Sequence, residues 1–309
     1  MKTVSVVIPI LNGADTLDAL FGRFATVEAD LQAMGISLHF ILVDDGSTDR
    51  TYAGMLDWKQ RKKNISVVKL SRNWGAIAAS NAGLKHVKGD AFTLYSSDLQ
   101  DPPELIPEMC RRWQEGKKFI ICQRAKERKD PFLTRLYARL YYKLVKWLVM
   151  DQFPETGFDI FLLDAAYLPY LQHTGKNINR SLYTYWLGLN PEIITYNRPQ
   201  RHSGKSKWTF SRKVKLFIDS FLGFSMKPIR LFIMLGLIVS ALSFVYGTVI
   251  VAGALLGNIS VPGYASLAVI LSFMFGLVFL LLGVIAEYLW RIFDEVNKRP
   301  ESVVETYVE

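Results

Sequence analysis

Cysteine is nearly absent. Cys110 and Cys122 are the only two in 309 residues. Their spacing fits no metal-ligand pattern, so two reduced, buried thiols are expected rather than a disulfide framework or a thiolate site. The four histidines, at positions 39, 86, 173 and 202, form no local cluster, so an imidazole metal site is not expected either. The chain has no Gly-rich phosphate loop of the Walker type, no Ser-His-Asp signature, no internal repeat and no low-complexity tract. A targeting segment is not expected at the start. Val4–Leu11 is apolar but short, follows one lysine and lacks a small-residue cleavage site, so it reads as a buried strand.

Charge is missing altogether from Leu231 to Ala286. At 1.5 Å per residue that stretch is too long for one crossing of a roughly 30 Å hydrocarbon core and suits two. Gly257-Asn258 and Pro262-Gly263 supply a turn, which predicts helices over about 229–256 and 262–288. A soluble helical hairpin would keep a polar face. Lys227 and Arg230 precede the first span, Arg291, Lys298 and Arg299 follow the second, and the connecting loop has no basic residue. The positive-inside tendency then places both ends and the large N-terminal region in the cytoplasm.

The first 200 residues have a different rhythm. Val4–Ile10, His39–Val43, Ile65–Leu70, Ala91–Tyr95 and Phe119–Cys122 read as strands. Helical patterns lie between them over Ala14–Met34, Thr48–Arg61, Ala76–His86 and Pro103–Glu115. Alternation of this kind predicts an α/β fold, a mainly parallel sheet with helices on both faces. Ligands of such sheets sit beyond the carboxyl ends of the strands. Asn12, Asp44, Asp45, Arg72, Asp98 and Arg124 all fall just after a predicted strand, so one crevice is expected to gather them.

Half of the residues are hydrophobic and 21% are charged, with a formal net charge of +9. The basic excess suits phosphorylated substrates or anionic lipid better than nucleic acid, because it clusters near the apolar spans. Two segments carry an apolar stripe with basic flanks. In one, Leu133, Leu136, Tyr137, Leu140, Tyr141, Leu144, Trp147 and Leu148 share a helix face, with Arg135, Arg139, Lys143 and Lys146 off it. In the other, Val214, Phe217, Ile218, Phe221 and Leu222 stripe a helix that also carries Arg212, Lys213 and Lys215. Beside membrane spans, such helices are expected to seat on headgroups or to pack on a core.

The densest chemistry lies in A-F-T-L-Y-S-S-D-L-Q-D-P-P-E-L, Ala91 to Leu105. An apolar strand there stops in Asp98, Gln100 and Asp101, oxygen donors of the kind that hold a hard divalent cation. Upstream lie V-V-I-P-I-L-N (Val6–Asn12), V-D-D-G-S-T-D (Val43–Asp49) and L-S-R-N-W-G-A (Leu70–Ala76). Carboxylates at strand ends can accept hydrogen bonds from a base or a ribose, and glycines there permit sharp turns and close approach. Taken alone, D-D-G-S is no more than a turn and a helix cap.

The ordered set V-V-I-P, V-D-D-G-S-T-D, S-R-N-W-G, A-G-L, G-D and S-D-L-Q-D-P-P-E resembles glycosyltransferase family 2, in its polyprenyl-phosphate glycosyltransferase branch, and the likeness covers nearly the whole chain. The resemblance implies a GT-A fold, Rossmann-like, with interfacial helices and two C-terminal transmembrane helices. It implies a divalent cofactor, Mg²⁺ or Mn²⁺, a UDP- or GDP-linked sugar as donor, and a polyprenyl phosphate as acceptor. By position, Pro9, Asn12, Asp44, Asp45, Arg72 and Ser96 would line the nucleotide, and Asp98 and Gln100 would hold the metal. The segment Glu155–Asp164 resembles the family's G-D-F-R-L-L-D stretch, making Asp159 the acidic residue that faces the acceptor, a catalytic role it would share with Asp98. Arg201–Trp208 resembles R-x-x-G-x-S-K-Y. Arg124, Arg135, Arg201 and Lys205 would then face the acceptor phosphate or the diphosphate. One departure stands out: the family usually has Asp-x-Asp where this chain has Ser96-Ser97-Asp98.

The expected division is a cytoplasmic catalytic domain over 1–208, including an acceptor-side helix at 131–150, an interfacial helix at 209–227, a transmembrane hairpin at 228–290 and a cytoplasmic tail at 291–309. The chain is thus expected to be a multi-pass inner-membrane enzyme that partners the lipid bilayer, with a homo-oligomer and a downstream flippase as further partners and no nucleic acid. Two other readings stay open: a catalytically weak membrane-anchored sugar-nucleotide-binding or scaffold protein, and a processive polysaccharide synthase, for which Q-x-x-R-W and additional spans are missing.

Overall fold

The computed structural model describes residues 1–125, 132–154, 157–158, 160–172, 178–197, 217–221, 223–225, 227–256 and 263–309, with the side chains of 132–136 and of part of the two C-terminal helices outside that description. The chain divides into two compact units. One comprises Met1–Leu216 together with Pro300–Glu309, and the other Phe217–Arg299.

The first unit is built on one eight-stranded sheet. Its strands are β1 (Lys2–Ile10), β2 (Ile36–Asp44), β3 (Ile65–Leu70), β4 (Ala91–Leu94), β5 (Phe119–Arg124), β6 (Ile160–Asp164), β7 (Glu192–Tyr196) and β8 (Val304–Val308). Their spatial order is β7-β5-β6-β4-β1-β2-β3-β8. The central block β4-β1-β2-β3 is parallel, with Ile10 opposite Asp44 and Val7 opposite Leu94. Beyond it the sheet is mixed: β6 runs antiparallel to both β4 and β5, β8 runs antiparallel to β3, and β7 runs parallel to β5, so the expected mainly parallel character holds apart from the two reversed strands β6 and β8. Apolar runs and β-branched residues mark a strand without encoding its direction, so the two reversals carry no sequence signal.

Helices cover both faces. On one, α1 (Leu17–Ala33), α2 (Thr51–Arg61) and α4 (Leu105–Gln114) bury Leu20, Phe24, Met55, Ile106 and Trp113 against Val4, Val6 and Ile8 of β1 and their neighbours. On the other lies α3 (Ala76–Leu84), which approaches so closely that a Cβ on Gly83 would stand 2.4 Å from Val7 Cγ1. Phe92, Phe119, Phe158 and Phe161 pack edge to face there, with ring centroids 6.0 to 6.4 Å apart.

Asp164, at the end of β6, ties the far side of the sheet. Burial alone would raise its pKa, but bonds from Lys118 Nζ (2.8 Å), Trp113 Nε1 (2.9 Å) and the Ala166 N–H (3.1 Å) outweigh that and hold it low. A carboxylate depressed in the folded state contributes stability above its unfolded pKa of about 4, and that stability is lost as pH falls through the lower folded value. Acid titration of Asp164→Asn should therefore show less loss of stability below pH ~4 than the parent, starting from a lower neutral-pH value.

The second unit is helical. Lys227–Leu255 and Tyr264–Val296 are helices where the charge-free stretch predicted them, the second running past the expected end at 288. Among the described residues one segment, Phe273–Val296 with mean hydropathy 2.1, is long and apolar enough to cross a membrane. Met234–Val249 is a shorter apolar helix. Arg291 forms ion pairs with Asp219 (2.7 Å) and Glu287 (3.1 Å) at the polar end of the second helix. Of the second stripe predicted at 209–227, Val214 and Leu222 lie outside the described residues; among the others the Phe217 and Phe221 rings lie tilted against each other, centroids 4.3 Å apart.

The tail expected over 291–309 is partly structured. Residues up to Val296 continue the helix, and Val304–Val308 form the edge strand β8 of the first unit.

Candidate active site

The aligned carboxyl ends of β1, β2, β3 and β4 present four loops side by side. The first begins with Asn12, which adopts φ +50°. A non-glycine residue in that region is held there by its surroundings. Here the hold is reciprocal: the Asn12 N–H donates to Ser47 Oγ (3.0 Å), while Asn12 Oδ1 accepts from the Thr48 N–H (2.9 Å). Asn12 therefore joins the β1 loop to the D-G-S-T turn. Pro9 lies half-buried opposite Val43 at the end of the same strand.

Asp44 and Asp45 end β2 and are both buried, yet they do different things. Asp45 is fully engaged with the β3 loop. Its Oδ1 accepts from the Trp74 N–H (2.8 Å) and its Oδ2 from the Gly75 N–H (3.0 Å). Burial raises its pKa, those two bonds oppose the rise, and the neighbouring Asp44 charge adds to it. Asp44 uses Oδ1 to accept from the Ser47 N–H (3.1 Å). Its Oδ2 is buried with no hydrogen-bond partner among the described residues. An unmet buried carboxylate oxygen is costly, and it is the kind of acceptor a ligand N–H would satisfy.

Gly46 makes this arrangement possible. It has φ +68°, and a Cβ there would stand 2.2 Å from the backbone carbon of Arg72 and 2.5 Å from the nitrogen of Asn73. Arg72 itself is exposed and lays its guanidinium over the Trp74 ring, 3.8 Å from the centroid. That stack holds a cation at the mouth of the site.

Beyond β4, Ser96 and Asp98 are exposed and Gln100 is half-buried. Asp98 Oδ1 accepts from the Gln100 N–H (3.1 Å), and between them Leu99 has φ +56°. The turn is fastened by a residue that sequence reasoning missed. Arg23 of α1 donates to the Leu99 carbonyl (3.1 Å) and grips both carboxylate oxygens of Glu104. Only the D-P-P-E tail of the motif hinted that Glu104 had a partner. Asp101, expected among the oxygen ligands, is instead buried. Tyr196 Oη donates to its Oδ1 (2.8 Å) and Tyr95 Oη to its carbonyl. It braces the turn from below.

Among the described residues no group of three His, Cys, Asp or Glu side chains converges as a metal cage. A single exposed carboxylate beside an amide nevertheless fits Mg²⁺ or Mn²⁺, which are commonly bound by one or two carboxylates plus substrate phosphates. Asp98 and Gln100 supply that donor set.

Arg124 closes β5, half-buried, in register with Tyr196 of β7. Arg135 lies in α5 (Phe132–Leu148), but its side chain is outside the described residues, as are Asp159, Arg201 and Lys205 altogether. The exposed face of α5 carries Tyr137, Leu140 and Trp147, and Val145 faces the core.

The chain is 32% identical over 97% of its length, and 94% of the relative's, to an uncharacterized glycosyltransferase of Synechocystis sp.. It is 28% identical to the SfII prophage-derived bactoprenol glucosyl transferase of Shigella flexneri, over 97% of each chain. The solved glucosyl-3-phosphoglycerate synthase of Mycobacterium tuberculosis aligns with 71% of this chain and 80% of its own, at TM-score 0.49 and 14% identity. Residues 5–167, which carry all four loops of the carboxyl edge, match the family described as glycosyl transferase family 2. The sheet is the GT-A-like mixed α/β arrangement, the loops at its carboxyl edge are those of a sugar-transfer enzyme, and the chain belongs to glycosyl transferase family 2.

Proposed function

We propose that the protein moves a hexose such as glucose from a UDP- or GDP-linked sugar to a polyprenyl phosphate of the undecaprenyl class on the cytoplasmic leaflet, inverting the anomeric centre. The observation that carries the donor half is Asp44 Oδ2, a buried acceptor at the strand edge with no partner among the described residues. A base N–H meets that need. Pro9, Asn12, Arg72 and Ser96 surround the same edge, and Asp45 shapes it through Trp74 and Gly75.

The acceptor half rests on the bactoprenol glucosyl transferase relative and on the apolar helices. Met1–Leu216 and Pro300–Glu309 form one unit, and a hairpin of two crossings with both ends cytoplasmic at the inner membrane suits that continuity and the basic residues flanking the apolar stretch. The exposed Tyr137 and Leu140 of α5, with Arg139 and Lys143 exposed beside them, suit seating on anionic headgroups.

A phosphate monoester is already ionised near neutral pH, so attack on the anomeric carbon needs no strong base. The demands are orientation and stabilisation of the departing diphosphate. A divalent ion held by Asp98 and Gln100 would supply charge stabilisation to that diphosphate. Arg201 and Lys205 would add positive charge there. Arg124 and Arg135 would orient the acceptor phosphate, and Asp159 would steer it or take a residual proton. Ser96, in place of the usual first aspartate, favours a second reading, a weakly catalytic sugar-nucleotide-binding scaffold.

Membranes containing the protein, given undecaprenyl phosphate and a panel of radiolabelled nucleotide sugars, test the choice. Label from one donor entering the lipid fraction supports the transferase; binding of a nucleotide sugar with no transfer from any donor supports the scaffold.

A further inference from the structure

The last ten residues are wired to the elements that hold the donor site, although they follow 230 positions after them in the chain. Strand β8 pairs with β3, Val68 opposite Tyr307 and Lys69 opposite Thr306. The ladder then shifts register, and one more bond, from the Ser71 N–H to the Val303 carbonyl (3.0 Å), carries the contact past the end of β3. Ser71 is the residue before Arg72, at the root of the loop whose Trp74 and Gly75 N–H groups engage Asp45.

Side chains repeat the attachment. Glu305 pairs with Lys69 (2.9 Å), Glu309 pairs with Lys88, and Tyr307 stacks on His86 with ring centroids 4.1 Å apart. Glu301 accepts from Asn81 Nδ2 (2.6 Å), and Asn81 Oδ1 accepts from Arg180, which also donates to the Ile77 carbonyl (3.3 Å). Asn81, Ile77 and His86 lie on α3 or just past its end, and α3 starts at Gly75. The terminal segment thus grips β3 and α3, the two elements that anchor the ends of the 71–75 loop. A strand that merely covered a sheet edge would need only the ladder.

We propose that Pro300–Glu309 is a positioning element of the donor site. It holds the 71–75 loop in the geometry that receives the nucleotide, and Glu301 and Tyr307 are its principal positioning residues. This rests on the reading of that loop as nucleotide-facing. Donor affinity then depends on residues that touch no substrate, in a segment that follows directly on the last apolar helix.

The full chain in lipid nanodiscs, titrated with UDP and with GDP, tests this. Glu301→Ala with Tyr307→Ala should raise the nucleotide Kd and the donor KM by about 10-fold or more, leaving the acceptor KM unchanged. Tyr307→Phe, which keeps the ring on His86, should retain parental affinity. A double variant with a lowered Tm but parental Kd and donor KM would overturn the proposal, because the segment would then serve stability alone. If the double variant fails to fold, Glu301→Ala alone carries the same expectation at smaller size, and a parental Kd there overturns it. A parent that binds neither nucleotide overturns the donor-site reading together with this proposal.

Discussion

Asp98→Asn should lower sugar transfer by about 10²-fold or more while leaving the protein folded; loss of a single preorganised charge-stabilising group has that size of effect. The side chain is exposed, and its bond from the Gln100 N–H can be accepted equally by an asparagine oxygen. The substitution therefore removes one negative charge while keeping that turn bond. The effect should appear in kcat more than in the donor KM, because the charge acts on the departing diphosphate. Steady-state kinetics beside a thermal melt separate the outcomes. An unchanged kcat would remove Asp98 from the metal and diphosphate role. Ser96→Asp, which restores the usual pair of carboxylates, should shift the metal requirement to lower concentrations.

Gly46→Ala should be the most damaging small substitution at the site. Its left-handed backbone alone costs an alanine about 1–2 kcal/mol. The added Cβ would also meet backbone atoms of Arg72 and Asn73, at 2.2 and 2.5 Å, and backbone cannot swing aside as a side chain can. Either the D-D-G-S turn or the 71–75 loop must move, and both line the proposed nucleotide edge. Nucleotide affinity should fall by about 10²-fold together with Tm. Parental nucleotide binding in Gly46→Ala would mean that the two loops do not form one site.

Much of this was legible before any coordinates. The five predicted strands are present, and the residues placed after them do line one carboxyl edge, because strand periodicity and loop chemistry are local properties. Strands β6, β7 and β8 were not identified. Ile160–Leu163 is a continuous apolar run and Val304–Val308 is rich in β-branched and aromatic residues, so both carried a signal. The first was absorbed into a motif match and the second into a presumed tail. The division of labour between Asp44 and Asp45 was illegible, since adjacent identical residues differ only in what tertiary structure brings to them. The same holds for Arg23, whose partners Leu99 and Glu104 lie far along the chain. The demotion of Asp101 from ligand to brace has the same cause: Tyr196 is 95 positions away.

The central claim is that the carboxyl edge of the sheet delivers a sugar from a nucleotide to a lipid phosphate. Purified protein in nanodiscs, given the radiolabelled donor and a divalent ion, with and without undecaprenyl phosphate, tests it most directly. The account predicts that label enters the organic-extractable lipid only when the lipid phosphate is present, and that Asp98→Asn lowers the transfer by about 10²-fold or more. Label appearing in lipid without undecaprenyl phosphate, or transfer undiminished in Asp98→Asn, would contradict it.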